Sequence, residues 1–215
     1  MTSSNRSLRP STLLRSLLLA LVAGTTLSAC APLLIGGAIW GGTLVVSDRR
    51  TSGTQIDDQA IELKSVRRIT DVIADRGHVN VTSYNRLVLI TGEVPTDADK
   101  TAVEQAVMRI ENVRSIVNEL TLNAASSLSA RSNDTLMTSK VKASMVDAKD
   151  IQSNAFKVVS ERSVVYLMGR VTEREANRAA EVARGVSGVQ KVVKVFELVS
   201  EGELADTEPK AVVKP

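Results

Sequence analysis

The 215-residue sequence has few aromatic residues, a single cysteine and a single histidine. Aromatic side chains make up only 2% of the chain, so each core must be built from valine, isoleucine, leucine, alanine and methionine. The lone histidine, His78, has no cysteine partner, and a metal site based on it would need other ligands nearby. We therefore predict no metal site and no cofactor, and we interpret His78 as a structural or surface residue.

The N-terminal region lacks acidic residues before Asp48, and its hydrophobic run is too short to cross a bilayer. Three arginines lie within the first 15 residues, and the stretch 13–27 is otherwise mostly apolar, whereas a membrane span needs about 20 helical residues. The stretch ends in small residues directly before Cys30, which is typical of a secretory cleavage site. Residues 1–29 are therefore predicted to be a signal peptide.

The tetrapeptide Leu-Ser-Ala-Cys at 27–30 matches the lipobox of bacterial lipoproteins. This resemblance implies that the Cys30 thiol receives a diacylglycerol, that the chain is cut before Cys30 and that the new amino group is acylated. Stable anchoring needs roughly two lipid signals, and three acyl chains exceed that. Ala31 follows the cysteine where retained inner-membrane lipoproteins usually carry aspartate, so the resemblance implies the outer membrane. The alternative is a plain signal peptide followed by an ordinary cysteine.

Removal of residues 1–29 takes away three arginines and changes the net charge from +3 to zero. A neutral mature chain gives no support to nucleic-acid binding. Residues 48–123 hold 10 basic and 12 acidic residues, whereas residues 124–200 hold 12 basic and 8 acidic residues. A basic residue near an anionic membrane contributes roughly 1 kcal/mol. The second region could therefore bind anionic lipid, although a basic domain is often only a solvated surface.

An internal repeat with an offset of 76 to 77 residues fills most of the chain. The run Leu-Val-Leu-Ile-Thr-Gly-Glu-Val at 87–94 aligns with Val-Val-Tyr-Leu-Met-Gly-Arg-Val at 164–171. We place the two copies at residues 58–123 and 133–200. How the two copies pack against each other cannot be read from the pattern.

Each copy has the pattern of a helix, a hairpin, a second helix and a strand. Asp58 and Asp134 offer N-cap carboxylates for the first helix, and Thr96 and Thr172 cap the second. Two β-branched runs split by a polar turn predict the hairpin, and a valine-rich segment predicts the last strand. The predicted fold class is α+β, with two helices on a three-stranded mixed sheet in α-β-β-α-β order.

Two segments outside the copies have a different composition. Residues 30–57 are interpreted as the lipidated N-terminus and a tether, in which Trp40 either rests at the lipid headgroups or packs on the folded part. Residues 201–215 are rich in acidic residues and are predicted to be a disordered tail.

The strand segments resemble BON domains, on the residues Val88–Val94 with Val113–Val117 and Val164–Val171 with Gly188–Val193. A lipobox followed by two such copies resembles the dual BON-domain outer-membrane lipoproteins of proteobacteria, the DolP/YraP-like family. The strings Asp48-Arg-Arg-Thr-Ser-Gly-Thr-Gln-Ile-Asp-Asp58 and Leu167-Met-Gly-Arg-Val-Thr-Glu-Arg-Glu-Ala176 support the closer match. The resemblance covers about Cys30 to Val199.

The resemblance implies a non-catalytic protein that faces the periplasm. Its second BON domain would bind anionic phospholipids such as phosphatidylglycerol and cardiolipin, and it would support envelope integrity and gather at the division site. The family's membrane-contact positions map onto Leu136, Lys140, Val141, Lys142 and Val146. Well-known members carry tryptophan where this chain has Leu136. An apolar residue with lysines that reach phosphates suits an interfacial helix, but these apolar residues could equally all belong to the core.

The sequence also bears on two other classes of function. A periplasmic adaptor for envelope assembly or peptidoglycan machinery, with envelope proteins as partners, is the alternative to lipid binding. An enzyme is not predicted, because the acids at 57–58 and 97–99 lie at helix starts, where they suit the helix dipole. Gly92 and Gly169 lack a phosphate-binding pattern and are expected to allow a bulge or close packing.

Overall fold

The computed structural model describes residues 48–207 of the chain, with side chains up to residue 204. Two α+β domains follow one another with the same element order, which confirms the predicted fold class. The predicted signal peptide, Cys30, Trp40 and residues 208–215 lie outside the described residues.

The first domain contains two helices and a mixed sheet. Its elements are α1 (Ser52–Ile73), β1 (His78–Tyr84), β2 (Leu87–Val94), α2 (Asp97–Met108), β3 (Ser115–Asn118) and β4 (Thr121–Leu122). Strand β1 pairs antiparallel with β2, whereas β3 and β4 both pair parallel with it. The predicted third strand is therefore present in two short pieces along one edge of β2.

The second domain repeats this order and has an uninterrupted third strand. Its elements are α3 (Leu128–Asp147), β5 (Phe156–Glu161), β6 (Val164–Val171), α4 (Glu173–Arg184) and β7 (Lys191–Leu198). Strand β6 lies between antiparallel β5 and parallel β7. A further helix, α5 (Glu201–Thr207), follows. The prediction of disorder was therefore wrong for residues 201–207, where Leu204 is buried.

The second helix of each domain begins where the sequence predicted. Thr96 accepts a hydrogen bond from the Asp99 amide at 3.1 Å, and Thr172 forms a full capping box with Glu175. The inner face of α4 consists of four alanines that are all buried: Ala176, Ala179, Ala180 and Ala183.

The first helix of each domain begins earlier than predicted. The N-cap residues are Thr51 and Ser127, so part of the predicted tether and residues 128–132, between the two predicted copies, are helical. Asp58 and Asp134 lie inside the helices and are buried, and they bind the hairpin turn instead. In each helix the cap lies seven residues, about two turns, before the aspartate.

The two aspartates fasten each first helix to the adjacent hairpin. Asp58 accepts hydrogen bonds from both turn amides at 2.8 Å, and Asp134 does so at 3.0 and 3.2 Å. Both central residues of each turn have φ between 51° and 65°, as in a type I′ hairpin turn: Asn85, Arg86, Arg162 and Ser163. The carboxylates thus satisfy amides that the tight turn leaves without a strand partner.

Each sheet is buried on both faces. One face packs against the helices of its own domain, through Val88 and Ile90 in the first domain and Val165 and Leu167 in the second. The opposite faces contact each other in a shared cluster of Tyr84, Leu89, Tyr166, Met168 and Val195. The two domains are therefore joined by a hydrophobic junction between their sheets.

Candidate functional site

Helix α3 has one face in the core of the second domain and one face in solvent. Val141 and Met145 are buried, and Met137 packs against the same cluster, so residues spaced four apart form one apolar stripe facing the core. On the opposite side, Leu136 is 59% exposed and Val146 is 67% exposed. The core contacts thus hold the helix in place while its outer side remains accessible.

The outer side of α3 presents two apolar residues between two lysines. Leu136 and Val146 are about 15 Å apart along the helix and about 80° apart around it. Lys140 lies about 40° beyond Leu136, and Lys142 lies about 40° beyond Val146 on the other flank. Both lysines are exposed. These four residues form a surface that we call the α3 surface.

The structure corrects one member of the predicted lipid-contact set and shows one further exposed apolar residue on the same helix. Val141 is fully buried, because its position on the helix points it at the core, and it cannot touch a membrane while the domain is folded. Leu128 is 79% exposed and lies on the same line of the helix as Val146, five turns earlier. The sequence prediction missed Leu128 because the helix was started too late; the N-cap serine before it was the available signal.

The first domain has a different accessible surface, an apolar groove between α1 and β1. Leu63 is 77% exposed and Val66 is 66% exposed on α1, and Val79 and Val81 of β1 line the facing wall. The groove has a volume of 620 Å³. Strand β1 pairs only with β2 among the described strands, so its second edge adjoins the groove.

Two arginines at the end of the predicted tether bind one domain each. Arg49 forms a bidentate pair with Glu175 at 2.7 and 2.8 Å, and both side chains are buried. Arg50 pairs with Asp58 at 2.8 Å. Burial raises the pKa of Glu175, but hydrogen bonds from Arg49 and the Thr172 amide outweigh it and hold that pKa below its usual value.

Further polar contacts cross the junction between the domains. Glu197 of β7 accepts hydrogen bonds from Asn85 at 2.7 Å and Arg114 at 2.8 Å in the first domain. Burial raises the pKa of Glu197, but these two donors more than offset it and leave that pKa lowered. Lys157 of β5 pairs with Glu62 of α1 at 2.7 Å. The domains are thus held by charged contacts as well as by their shared cluster.

A third group at the junction contains the only histidine of the chain. His78 begins β1, Glu93 is near the end of β2, and Glu161 ends β5 of the other domain. One nitrogen of His78 and one oxygen of each carboxylate lie within 4.8 Å of one another, and both glutamates are buried. The pKa of Glu161 is raised, mainly by burial and further by repulsion from Glu93. The hydrogen bond from Asn80 lowers this pKa but does not offset the increase.

Two glycines allow β1 and β5 to lie close to their neighbouring strands. A Cβ atom on Gly92 would lie 2.0 Å from the His78 carbonyl oxygen, and one on Gly169 would lie 2.4 Å from the Ala155 carbonyl oxygen. Gly92 also has a φ of 117°, which disfavours other residues. The prediction that both glycines serve close packing is confirmed.

None of the helices within residues 48–207 combines the length and apolar character needed to cross a membrane.

Comparisons of the sequence with protein families and with known proteins point to the same family. The model of the BON domain matches residues 57–124 and 133–200. The chain is 38% identical over 183 residues to outer membrane lipoprotein DolP of Haemophilus influenzae, covering 83% of this chain and 94% of that protein.

Two further relatives are more distant. The chain is 30% identical over 154 residues to the 21 kDa hemolysin of Actinobacillus pleuropneumoniae, covering 71% of this chain and 79% of that protein. It is 27% identical over 155 residues to osmotically-inducible protein Y of Escherichia coli, covering 70% of this chain and 77% of that protein.

Proposed function

The chain belongs to the BON-domain family as a lipoprotein of the DolP-like outer-membrane type, and on this basis we propose that its second domain binds anionic phospholipid. The contact is made by the α3 surface, with Leu128 as an additional apolar residue. The protein acts by binding rather than by catalysis. It faces the periplasm from the inner side of the outer membrane and supports envelope integrity there.

The observation that carries this proposal is the exposure of apolar side chains on a helix that is otherwise fixed in a core. Leu136 and Val146 have most of their surface in water, although neither is needed for the packing of α3. Single exposed apolar residues are common, but here two lysines flank them. The lysine stems can lie along the acyl chains while their ammonium groups reach lipid phosphates.

The charge of the second domain favours the same partner. Residues 124–200 carry 12 basic and 8 acidic residues, and each basic residue near an anionic membrane contributes roughly 1 kcal/mol. Leu136 replaces the tryptophan of well-known family members, and leucine lacks the polar N–H that holds an indole at the interface. We therefore expect weaker binding, with less headgroup selectivity, than a tryptophan would give.

The predicted anchor at Cys30 limits what this second contact can do. Three acyl chains already hold a protein firmly to a membrane, so α3 is not needed for attachment. Its contact instead selects where along the membrane the protein resides, and regions rich in anionic lipid, such as the division site, are where it would gather.

Vesicle co-sedimentation tests the proposal. The mature chain with Cys30→Ser carries no acyl groups, so any binding must come from the folded part. We expect it to sediment with vesicles that contain phosphatidylglycerol and to remain in solution with pure phosphatidylcholine. Leu136→Glu, and Lys140→Glu combined with Lys142→Glu, should each reduce binding to the anionic vesicles several-fold.

The first domain provides the matched control. Lys64 occupies the position in α1 that Lys140 occupies in α3, so Lys64→Glu with Arg67→Glu reverses two charges on the equivalent helix. This variant should bind as the parent does. Equal binding to both vesicle types, or an equal loss in the control, would refute a site on the α3 surface.

A protein-interaction adaptor is the second candidate, and the groove of the first domain favours it. An extended segment of an envelope protein could add to the free edge of β1 while its apolar side chains occupy the groove near Leu63 and Val66. A photo-crosslinker at Val66 should then capture one partner in cells. Leu63→Glu should abolish the adduct, whereas Leu136→Glu should leave it intact.

A further inference from the structure

We infer that His78, Glu93 and Glu161 form a binding site for a divalent metal ion of the zinc class at the junction of the two domains. The first domain supplies the imidazole and one carboxylate, and the second domain supplies the other carboxylate. One imidazole nitrogen, two carboxylate oxygens and one water make a four-coordinate set that suits zinc.

The spacing of the donor atoms fits ligands that share an ion. His78 Nδ1 lies 3.4 Å from a carboxylate oxygen of Glu93. Two ligands bound tetrahedrally to zinc, each about 2.0–2.2 Å from it, are about 3.4 Å apart. All three donor atoms lie within 4.8 Å of one another, so Glu161 needs to approach by at most about 1.4 Å, which rotation about its side-chain bonds permits.

The His78 nitrogen that faces this group is shielded from solvent and makes no hydrogen bond within the described part of the chain. A buried polar atom normally has a partner. At 3.4 Å, Nδ1 lies within ion-pair distance of a carboxylate oxygen of Glu93, but it makes no hydrogen bond with that oxygen. A cation between the two atoms would satisfy both of them.

The two glutamates favour an additional cation. Glu93 is 0% exposed and Glu161 is 6% exposed, and buried carboxylates require paired positive charge or a metal. Arg162 reaches Glu93 at 3.4 Å, but it contacts the oxygen that does not face His78, and its side chain is 43% exposed. Within residues 48–204, Arg162 is the one lysine or arginine that forms an ion pair with either glutamate, so a single guanidinium and the His78 imidazole face two buried carboxylates.

The surrounding residues provide support and access. The Ser126 amide donates to Glu93 at 3.1 Å, and the Asn80 side chain donates to Glu161 at 3.0 Å, so both carboxylates are oriented by a second set of contacts. A cleft of 330 Å³ is lined by His78, Asn80 and Glu161. An ion and its water can enter through this cleft, and once bound the ion would tie the two domains together.

The single histidine allows a direct test on the unaltered protein. The acylated lipoprotein is purified in detergent without a polyhistidine tag, stripped with a chelator and labelled on histidine for NMR. Titration with zinc should shift the one set of imidazole signals, with an endpoint at one zinc per chain. The same addition should raise the midpoint of thermal unfolding, because the ion binds only the assembled junction.

Variants assign the remaining ligands. Glu161→Gln should weaken zinc binding at least tenfold, whereas Glu111→Gln, which removes an exposed carboxylate of the first domain, should leave it unchanged. Magnesium should not reproduce the shift, because it prefers six oxygen ligands. Imidazole signals that do not respond to zinc, or equal binding in Glu161→Gln, would overturn the site and leave only a histidine beside two carboxylates.

Discussion

The two domains have the same skeleton, yet their first helices present different surfaces to solvent. Leu63 and Val66 of α1 are exposed apolar residues, and the equivalent positions of α3 are Ser139 and Lys142. Leu136, which is exposed on α3, corresponds to Ala60 on α1. The duplicated core positions are constrained by packing, whereas the outward positions are free to specialise. One helix borders a groove suited to a peptide, and the other presents a lysine-flanked surface suited to a membrane.

The inward positions of the same helices show how closely the cores correspond. Val141 of α3 and Ser65 of α1 are equivalent, and both are fully buried. The Ser65 hydroxyl donates to the Ile61 carbonyl at 2.7 Å, so a polar residue is accommodated there without leaving a buried donor unsatisfied. Val141 has no such polar atom and contributes only packing. This contrast separates core residues from outward-facing residues more sharply than the apolar pattern of the sequence does.

The largest effect that we predict distinguishes the two sides of α3. Val141→Asp places an unpaired charge in the core and should destabilise the protein by at least about 4 kcal/mol. Leu136→Asp changes an exposed residue and should alter stability by less than about 0.5 kcal/mol. Urea unfolding monitored by circular dichroism measures both. If Val141→Asp folded normally and lost only vesicle binding, Val141 would return to the list of lipid contacts.

The next effect compares the arginines that bind the two domains. Arg49→Ala leaves Glu175 buried without its bidentate partner, and removal of one member of a buried pair costs about 3 kcal/mol or more. Arg50→Ala should cost about half as much, because Asp58 keeps its donors in the hairpin turn. Denaturant unfolding of the two variants gives the comparison. Equal losses of unfolding free energy in the two variants would mean that the bidentate pair of Arg49 with Glu175 does not hold the second domain to the start of the chain.

Much of the fold could be predicted from the sequence because it depends on local patterns. The caps at Thr96 and Thr172, the hairpins and the alanine face of α4 each depend on residues close together in the chain. The burial of both sheet faces also had a signal, since 87–90 and 164–168 are continuously apolar rather than alternating. Such runs are typical of strands covered on two sides, but they do not indicate what covers the second side.

The candidate sites were harder to predict because they depend on distant residues. The family resemblance, and not the helical spacing, placed Val141 among the lipid contacts, and its burial depends on core residues distant in the chain. Leu128 was missed because Asp134 was taken as a helix start instead of the partner of a turn. His78 and Glu161 are on different domains, so only the packing of the sheets brings them together.

A smaller effect should separate the two aspartates that fasten the hairpins. Asp58 accepts hydrogen bonds from the turn amides and also from Ser83 at 2.6 Å and Arg50 at 2.8 Å. Asp134 accepts hydrogen bonds from the two turn amides of its own hairpin. Asp58→Ala should therefore destabilise the protein by about 1.5 kcal/mol more than Asp134→Ala does. Thermal and urea unfolding of both variants measure this difference. A larger loss for Asp134→Ala would contradict the assignment of the extra contacts to the first domain.

The smallest effect concerns Glu197, whose counterpart in the first domain is the uncharged Thr121. Because the pKa of Glu197 is lowered in the folded protein, its ionised form stabilises the fold at neutral pH. That contribution is present above the usual pKa of 4.5 and is lost as the pH falls through the lowered native value. Glu197→Gln should be less stable than the parent by about 1 kcal/mol at pH 7.

The difference between Glu197→Gln and the parent should shrink as the pH falls below 4.5, because protonation removes the charge from the parent as well. Thr121→Val is the matched control at the equivalent position, and its difference from the parent should not depend on pH, since it removes no ionisable group. Urea unfolding of all three proteins across this range gives the result. A constant difference for Glu197→Gln would show that the contacts of Glu197 with Asn85 and Arg114 do not depend on its charge.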